Sequence, residues 1–133
     1  MILPDVEALA LSALRAALPG VRFVVDVPAD WDAASSLVAV HRVGGAAIDP
    51  RYVDRALLDV QCFGTNRRAA SLLARTVRAA LLDACRTQTA TDEGSLSGFS
   101  EVTGPWCTGP DETGTLTRFI ATYQVLARPA RKG

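Results

Sequence analysis

Histidine and cysteine are scarce in this chain of 133 residues, and their scarcity excludes most sites that depend on them. The only histidine is His41, and the three cysteines Cys62, Cys85 and Cys107 are widely spaced, without a Cys-x-x-Cys pair. A structural zinc site needs several such ligands at short spacings, and a disulfide framework needs an even number of paired cysteines. The sequence therefore predicts neither a metal site nor a disulfide framework.

Net charge and long apolar runs are also missing. Fourteen basic residues balance fourteen acidic ones, so no global field attracts nucleic acid or an anionic membrane. No apolar run reaches the roughly 18 residues that a transmembrane helix needs, and no signal-peptide pattern opens the sequence. We expect a protein made in a reducing cytoplasm that binds no membrane and recognises no nucleic-acid sequence.

The composition is that of a protein with a hydrophobic core. Hydrophobic residues make up 49% of the chain and charged residues 21%, which suits one compact domain of this length. We expect a single domain over residues 1–133. Its last residues, 127–133, contain Arg128, Arg131 and Lys132 and are typical of a flexible, solvated tail.

Apolar periodicity predicts two helices. The first begins at Pro4 and ends before Pro19, with apolar residues at spacings of three and four. The second follows a cap at Thr65 or Asn66 and ends near Cys85. Its predicted buried stripe consists of Ala69, Leu72, Leu73, Thr76, Val77, Ala80 and Leu81.

Alternation of apolar and polar residues predicts strands over 21–27, 37–43, 55–63, 96–103 and 115–127. Between them we expect a flexible hairpin-like excursion over 44–53, a mobile connection over 87–94 and a loop over 104–111. The fold class is therefore α+β, in the order α-β-β-β-α-β-β, with a mainly antiparallel sheet of about five strands and both helices packed on one face. The open face would carry a mixed-charge surface of Arg22, Asp26, Arg55, Asp59, Gln61, Arg118, Thr122 and Gln124, with Leu57 and Ile120 among them.

No set of residues forms a catalytic or cofactor motif. A Cys-His hydrolase would need Cys62 and His41 within hydrogen-bond reach, but Cys62 falls on the apolar face of its strand, where a thiol behaves as a small hydrophobe. Gly44-Gly45 lacks the other residues of a phosphate or dinucleotide loop and is typical of a turn. We predict no catalytic residue, no cofactor and no enzymatic activity.

Several strings resemble the tail-terminator, or tail-completion, proteins of long-tailed bacteriophages, and the resemblance extends from about Leu3 to Arg128. The strings are LPDVE at the start, VVDVPAD from Val24, LVAVHRVGG from Leu37, DRALLDVQCFG from Asp54, VTGP from Val102 and ATYQV from Ala121. The resemblance implies a structural protein that forms a homohexameric ring at the neck end of the virion tail. Its partners would be the tail tube protein and the head-tail connector, and DNA could pass through the ring.

The resemblance also suggests contact residues. Arg51 and Tyr52 would form one contact loop, and Arg42, Arg55 and Asp59 would form ring contacts. The alternatives are a plain hairpin for the loop and an intramolecular salt-bridge ladder for the three charged residues.

Two further surfaces have open interpretations. Arg68, Arg75 and Arg78 share one side of the second helix, either as a solvated face or as a docking stripe for an acidic neighbour. Trp106 either anchors a partner or folds back on its own domain.

Other classes of protein also fit the sequence. Another neck or head-tail connector subunit would share the small size and the neutral charge. A small ligand-binding α+β domain would instead hold a metabolite on its sheet.

Overall fold

A computed structural model describes residues 2–29, 36–110 and 117–130 of the chain. The elements follow in the order α1 (Val6–Ala17), β1 (Arg22–Val24), β2 (Leu37–Asp49), β3 (Val53–Gly64), α2 (Arg67–Arg86), β4 (Ala90–Thr91), β5 (Gly94–Pro110) and β6 (Thr117–Pro129). They form one sheet whose strands lie in the order β1-β2-β3-β6-β5-β4. Only β1 and β2 pair in parallel, and every other neighbouring pair is antiparallel.

Both helices begin at a side-chain cap. The Asp5 carboxylate accepts a hydrogen bond from the amide of Ala8 at 3.1 Å, and the Asn66 side chain accepts one from the amide of Ala69 at 2.8 Å. Each cap satisfies an amide that has no partner inside its helix. The prediction that Asn66 or Thr65 starts the second helix is confirmed, with Asn66 as the cap.

The helices cover one face of the sheet and share a single hydrophobic core with it. α1 lies over β1 and β2, and α2 lies over β3, β5 and β6. The core-facing positions of α2 are mostly small, and they are Ala70, Ala74, Val77, Leu81, Ala84 and Cys85. The α+β class with a mainly antiparallel sheet is therefore confirmed, although the sheet has six strands, because β4 was not predicted.

The predicted buried stripe of α2 was partly wrong. Val77 and Leu81 are buried as expected, but Leu72 is 57% exposed and points away from the sheet. Alanines take the inward positions because the helix approaches the backbone of β3 closely. A Cβ atom at Gly64 would lie 2.7 Å from the amide nitrogen of Ala70.

The excursion predicted over 44–53 is instead a continuation of the sheet. β2 runs through the two glycines to Asp49, with shifts of register between Arg42 and Gly44 and between Ala47 and Asp49. Gly45 has φ of +94°, and a Cβ atom there would lie 2.2 Å from the carbonyl oxygen of Arg55. The first shift leaves Val43 as the extra residue of a β-bulge, and Gly44-Gly45 continues the paired strand beside it rather than forming a turn, which lies at residues 50–52.

The predictions of a connection over 87–94 and of a loop over 104–111 were also partly wrong, because both segments contain strand residues. The first contains β4, and β5 continues through most of the second, as far as Pro110. β5 follows β6 with four shifts of register, which is why its apolar alternation is hard to see in the sequence. β6 reaches Pro129, so residues 127–129 belong to the sheet and not to the tail expected there. Arg131 and Lys132 lie outside the described residues.

Candidate functional site

The face of the sheet turned away from the helices has no covering element in the described part of the chain. Along β3, Ala56, Leu58 and Val60 point into the core, whereas Leu57 and Asp59 point to the open face and are only half-buried. β6 alternates in the same way over its length. The open-face residues of these central strands are Arg55, Leu57, Asp59, Gln61, Arg118, Ile120, Thr122 and Gln124, as the alternation predicts.

Trp106 lies on this open face. The loop predicted around it is part of β5, where Trp106 pairs with Ile120 of β6, and paired residues project from the same face. Its side chain remains 52% exposed. Trp106 therefore does not fold back into its own core, and a large aromatic surface is available beside Ile120.

The charged residues of the open face do not form the salt-bridge ladder that the sequence allowed. Asp59 accepts a hydrogen bond from the Thr122 hydroxyl at 2.8 Å, and no ion pair joins Arg55 or Asp59 to another described residue. Arg55 is exposed. On this face Arg55 thus presents a guanidinium without an acidic partner among the described residues, and Asp59 presents a carboxylate whose partner is neutral.

Arg42 does not share this face with Arg55 and Asp59, so the three do not form one patch. It pairs with Leu58 across the ladder, on the helix side. Its guanidinium forms a bidentate pair with Asp54, at 2.6 and 3.0 Å, and its Nε donates to the carbonyl of Gly44 at 2.9 Å. The hydrogen bond to Asp54 raises the pKa of Arg42 above its usual value.

The Arg42–Asp54 pair holds the bulge in place. Asp54 is the one buried charged residue in the described ranges, and the Arg42 backbone amide donates to the Glu7 carboxylate of α1 at 2.7 Å. Charge-assisted bidentate pairs of this kind fix geometry as well as contribute energy. Sequence reasoning missed Asp54, although an acidic residue in phase with Ala56 and Leu58 was a usable signal.

The end of the β2–β3 hairpin presents a rigid polar and aromatic group. Arg51 pairs with Asp49 at 3.2 Å, and its guanidinium lies over the Tyr52 ring at 5.0 Å from the centroid. The hydrogen bonds from Arg51 lower the pKa of Asp49. Tyr52 is 51% exposed, so the structure brings the two predicted contact-loop residues together at an exposed end.

An open cleft of about 850 Å³ adjoins this hairpin end. Its lining comes from the hairpin, the end of α2, β4 and the ends of β5 and β6, and includes Tyr52, Gln88, Thr91, Asp92, Ser95 and Arg128. The lining mixes polar and apolar surface, and its two charged side chains, Asp92 and Arg128, have opposite signs. It has the character of a protein contact surface rather than of a deep, apolar ligand pocket.

The three arginines predicted to share one side of α2 are divided by the structure. Arg78 lies closer to the sheet and pairs with Glu101 of β5 at 3.1 Å. Arg68 and Arg75 are exposed and have no acidic partner in residues 2–29, 36–110 and 117–130. Arg78 therefore no longer belongs to the candidate docking stripe, and Arg68 and Arg75 still fit either a solvated face or a docking stripe.

The structure separates the proposed Cys-His pair. Cys62 is 1% exposed on the core face of β3, and burial raises the pKa of its thiol to about 12. His41 pairs with Asp59, on the opposite face. A thiol held protonated on the other side of the sheet from the histidine cannot be activated by it.

Two kinds of feature are absent from the described ranges. No group of three or more His, Cys, Asp and Glu side chains is placed to hold a metal ion. No helix is both long and apolar enough to cross a membrane.

Comparison with known proteins identifies the family of this fold. A sequence profile of phage tail termination proteins matches residues 2–130. The chain belongs to this family. As a phage tail termination protein, it is a structural component of a phage tail, as the resemblance of its sequence strings implied.

The fold of this tail termination protein also occurs in a solved virus-like particle. A chain from the structure titled "Virion of native gene transfer agent (GTA) particle" superposes with a TM-score of 0.62. The sequences are 17% identical, and the match covers 92% of this chain and 93% of the other. A search of curated protein sequences finds no match. The similarity to the particle chain shows that the fold is shared over almost the whole length of both proteins.

Proposed function

We propose that this tail termination protein assembles as a homohexameric ring on the finished end of the tail tube, stops further tube polymerisation and joins the tube to the head-side connector. The observation that carries the proposal is the family match over residues 2–130. The shared fold of a chain in a gene transfer agent virion supports a place in the particle itself. Assembly would take place in the host cytoplasm, and the finished ring would lie at the neck end of the tail.

We assign one of the two surfaces that meet between ring neighbours to the open face of the sheet. A closed ring needs two complementary surfaces on each subunit, and every subunit uses both. Trp106 supplies an exposed aromatic anchor, and Arg55 and Asp59 supply opposite charges on the same face. Aromatic residues and arginine are the residue types that dominate binding energy at interfaces.

We assign the axial contact to the hairpin end. Arg51 and Tyr52 are exposed there and are fixed by Asp49 before any partner arrives, which lowers the entropy cost of binding. Arg42 contributes indirectly, because its pair with Asp54 holds the bulge at the base of this hairpin. Tube protein and connector would meet opposite ends of the ring, and DNA would pass through it without sequence recognition.

The mass of the purified protein in solution, measured by light scattering with and without tail-tube protein, tests this proposal. Negative-stain images would identify any large species. A ring of six, alone or only on the tube end, is the expected result. A monomer or dimer that leaves tube length unchanged would contradict the proposal.

A further inference from the structure

The outer surface of α2 carries a second regular stripe of residues. Buried positions of the helix follow spacings of four and three, and the exposed positions opposite them follow the same spacings. These outer positions are Arg68, Leu72, Arg75, Ala79, Leu82 and Arg86. Spacings of four and three repeat every seven residues and are those of the seam along which one helix packs on another. We call these six residues the outer seam.

The leucines of the outer seam are exposed to an unusual degree for their positions. Leu72 is 57% exposed and Leu82 is 47% exposed. Single exposed leucines are common, but these two share the outer side of α2, and a small residue, Ala79, lies between them along the helix. The seam extends over about 27 Å of helix, at 1.5 Å per residue, which is long enough for a paired helix.

The arginines of the outer seam give it a definite charge. α2 contains five arginines, and two of them have an acidic partner, Glu101 of β5 for Arg78 and Asp83 for Arg86, which leaves three without one among the described residues. Asp83 pairs with Arg86 at 2.9 Å, and Arg75 donates only to the Ser71 hydroxyl, at 3.4 Å. Arg67 and Arg68 stand in the first turn, where the helix dipole already disfavours positive charge. An acidic partner would relieve this unpaired positive charge.

We propose that the outer seam binds an acidic amphipathic helix of another protein. Leucines of that helix would pack on Leu72, Ala79 and Leu82, and its carboxylates would pair with Arg68 and Arg75. A second copy of this chain does not fit through the same surface, because two outer seams would bring arginines together. The proposal does not depend on the ring, since the outer seam lies on the helix side and the proposed ring contacts lie on the open face.

A helix is a better fit than a membrane or DNA. Helices that lie on membranes have a broad apolar face with aromatic residues, whereas the outer seam has two leucines and an alanine in a narrow line. A DNA-binding surface contacts phosphates through arginines and other polar groups, and exposed leucines between the arginines would add nothing to such contacts.

A designed peptide tests the proposal on the full-length protein. The probe is about three heptads long, with leucines spaced four and three apart and flanked by glutamates, whose repulsion prevents the peptide from pairing with itself. A fluorescent label allows binding to be followed by anisotropy. The control peptide has lysine in place of every glutamate. We expect saturable binding of the acidic peptide only, weakened by added salt.

Two double substitutions locate the binding surface. We expect R68E with R75E, and separately L72S with L82S, to weaken binding of the acidic peptide by about tenfold or more. R22E is the matched charge control, because Arg22 is exposed on β1, away from α2, and V102S is the matched apolar control, because Val102 is also 57% exposed. Both controls should bind as the unaltered protein does, and circular dichroism should show that all variants fold.

Three results would overturn the proposal. The first is a folded protein that does not bind the acidic peptide, or binds the lysine peptide equally well. The second is binding that neither double substitution weakens. The third is binding of anionic phosphatidylglycerol vesicles or duplex DNA that the same substitutions abolish, which would assign the seam to a membrane or to nucleic acid.

Discussion

The two faces of the sheet are built from alternate residues of the same strands, yet their surroundings differ completely. In β3, Leu58 is fully buried beneath the helices, and its neighbour Leu57 is only partly covered on the other side. The register between β3 and β6 has no shift, so this division is maintained along the whole pair. One face thus determines stability, and the other is free to meet other molecules without altering the core.

The sharpest way to test this difference is to shorten the two adjacent leucines of β3. Leu58→Ala should lower the free energy of unfolding by about 3 kcal/mol, because it leaves a cavity in a buried site. Leu57→Ala, the matched control, should lower it by less than about 1 kcal/mol. Urea denaturation measures both. Equal losses would mean that the open face is as tightly packed as the core.

A smaller effect should follow from the loss of the buried ion pair. Asp54→Asn removes the charge that Arg42 faces and should cost about 2 kcal/mol in the free energy of unfolding. The control is Asp49→Asn, which alters an exposed pair with Arg51 at the hairpin end and should leave the unfolding midpoint unchanged. If both substitutions had the same effect, the pair at the bulge would not stabilise the fold more than a surface pair does.

Trp106 tests the open face directly. Trp106→Ala should change the free energy of unfolding by less than about 1 kcal/mol, since half of the side chain is already exposed. Under the proposed function it should nevertheless reduce the mass of the assembled species seen by light scattering. A stable variant that still assembles fully would remove Trp106 from the proposed ring contact.

The cysteines should distinguish the two environments without any substitution. Cys62 and Cys85 are 1% exposed, and burial raises their pKa values to about 12 and about 11. Cys107 is only partly buried. An alkylating reagent applied to the folded protein near pH 8 should therefore label Cys107 alone, with all three labelled after unfolding. Mass spectrometry of the digested protein identifies the sites, and early labelling of Cys62 would contradict the packing described for β3.

The parts of the fold that could be predicted are those in which apolar residues recur at one constant spacing, either every second residue in a strand or every third and fourth residue in a helix. β3 and β6 alternate without interruption, and the two helices have clear caps and apolar stripes, so their positions were correct to within a few residues. Burial of Cys62 also followed directly from its place in that alternation.

The parts that could not be predicted are those in which a shift of strand register interrupts the alternation of apolar and polar residues, or in which that pattern does not decide which residues face inward. The bulge at Val43, just before Gly44-Gly45, shifts the alternation of β2 by one residue, and a pair of glycines more often marks a turn than a strand that continues. β5 has four such shifts, together with Pro105. In α2, alanine and leucine are both compatible with a buried or an exposed side of a helix. The close packing of α2 on Gly64 of β3 favours the small Ala70 on the inward side, and Leu72 then faces outward.

The candidate contact residues were recovered unevenly for a similar reason. Arg51 and Tyr52 are neighbours in sequence, and their proximity needed no knowledge of the fold. Arg42 was grouped with Arg55 and Asp59, although it projects from the helix side and is held by Asp54. Which residues of neighbouring strands project from the same face of the sheet depends on the register of the strands, and a single sequence does not reveal that register.

The margins of the sheet bear on how the protein can aggregate. β1 pairs with β2 only over residues 37–39, and β4 pairs with β5 only over residues 94–95, so most of the outer edge of β2 and of β5 has no neighbouring strand among the described residues. Shifts of register interrupt both β2 and β5, and the Glu7 carboxylate accepts a hydrogen bond from the Arg42 amide. Irregular edges of this kind disfavour the flat edge-to-edge pairing of copies that leads to fibrils.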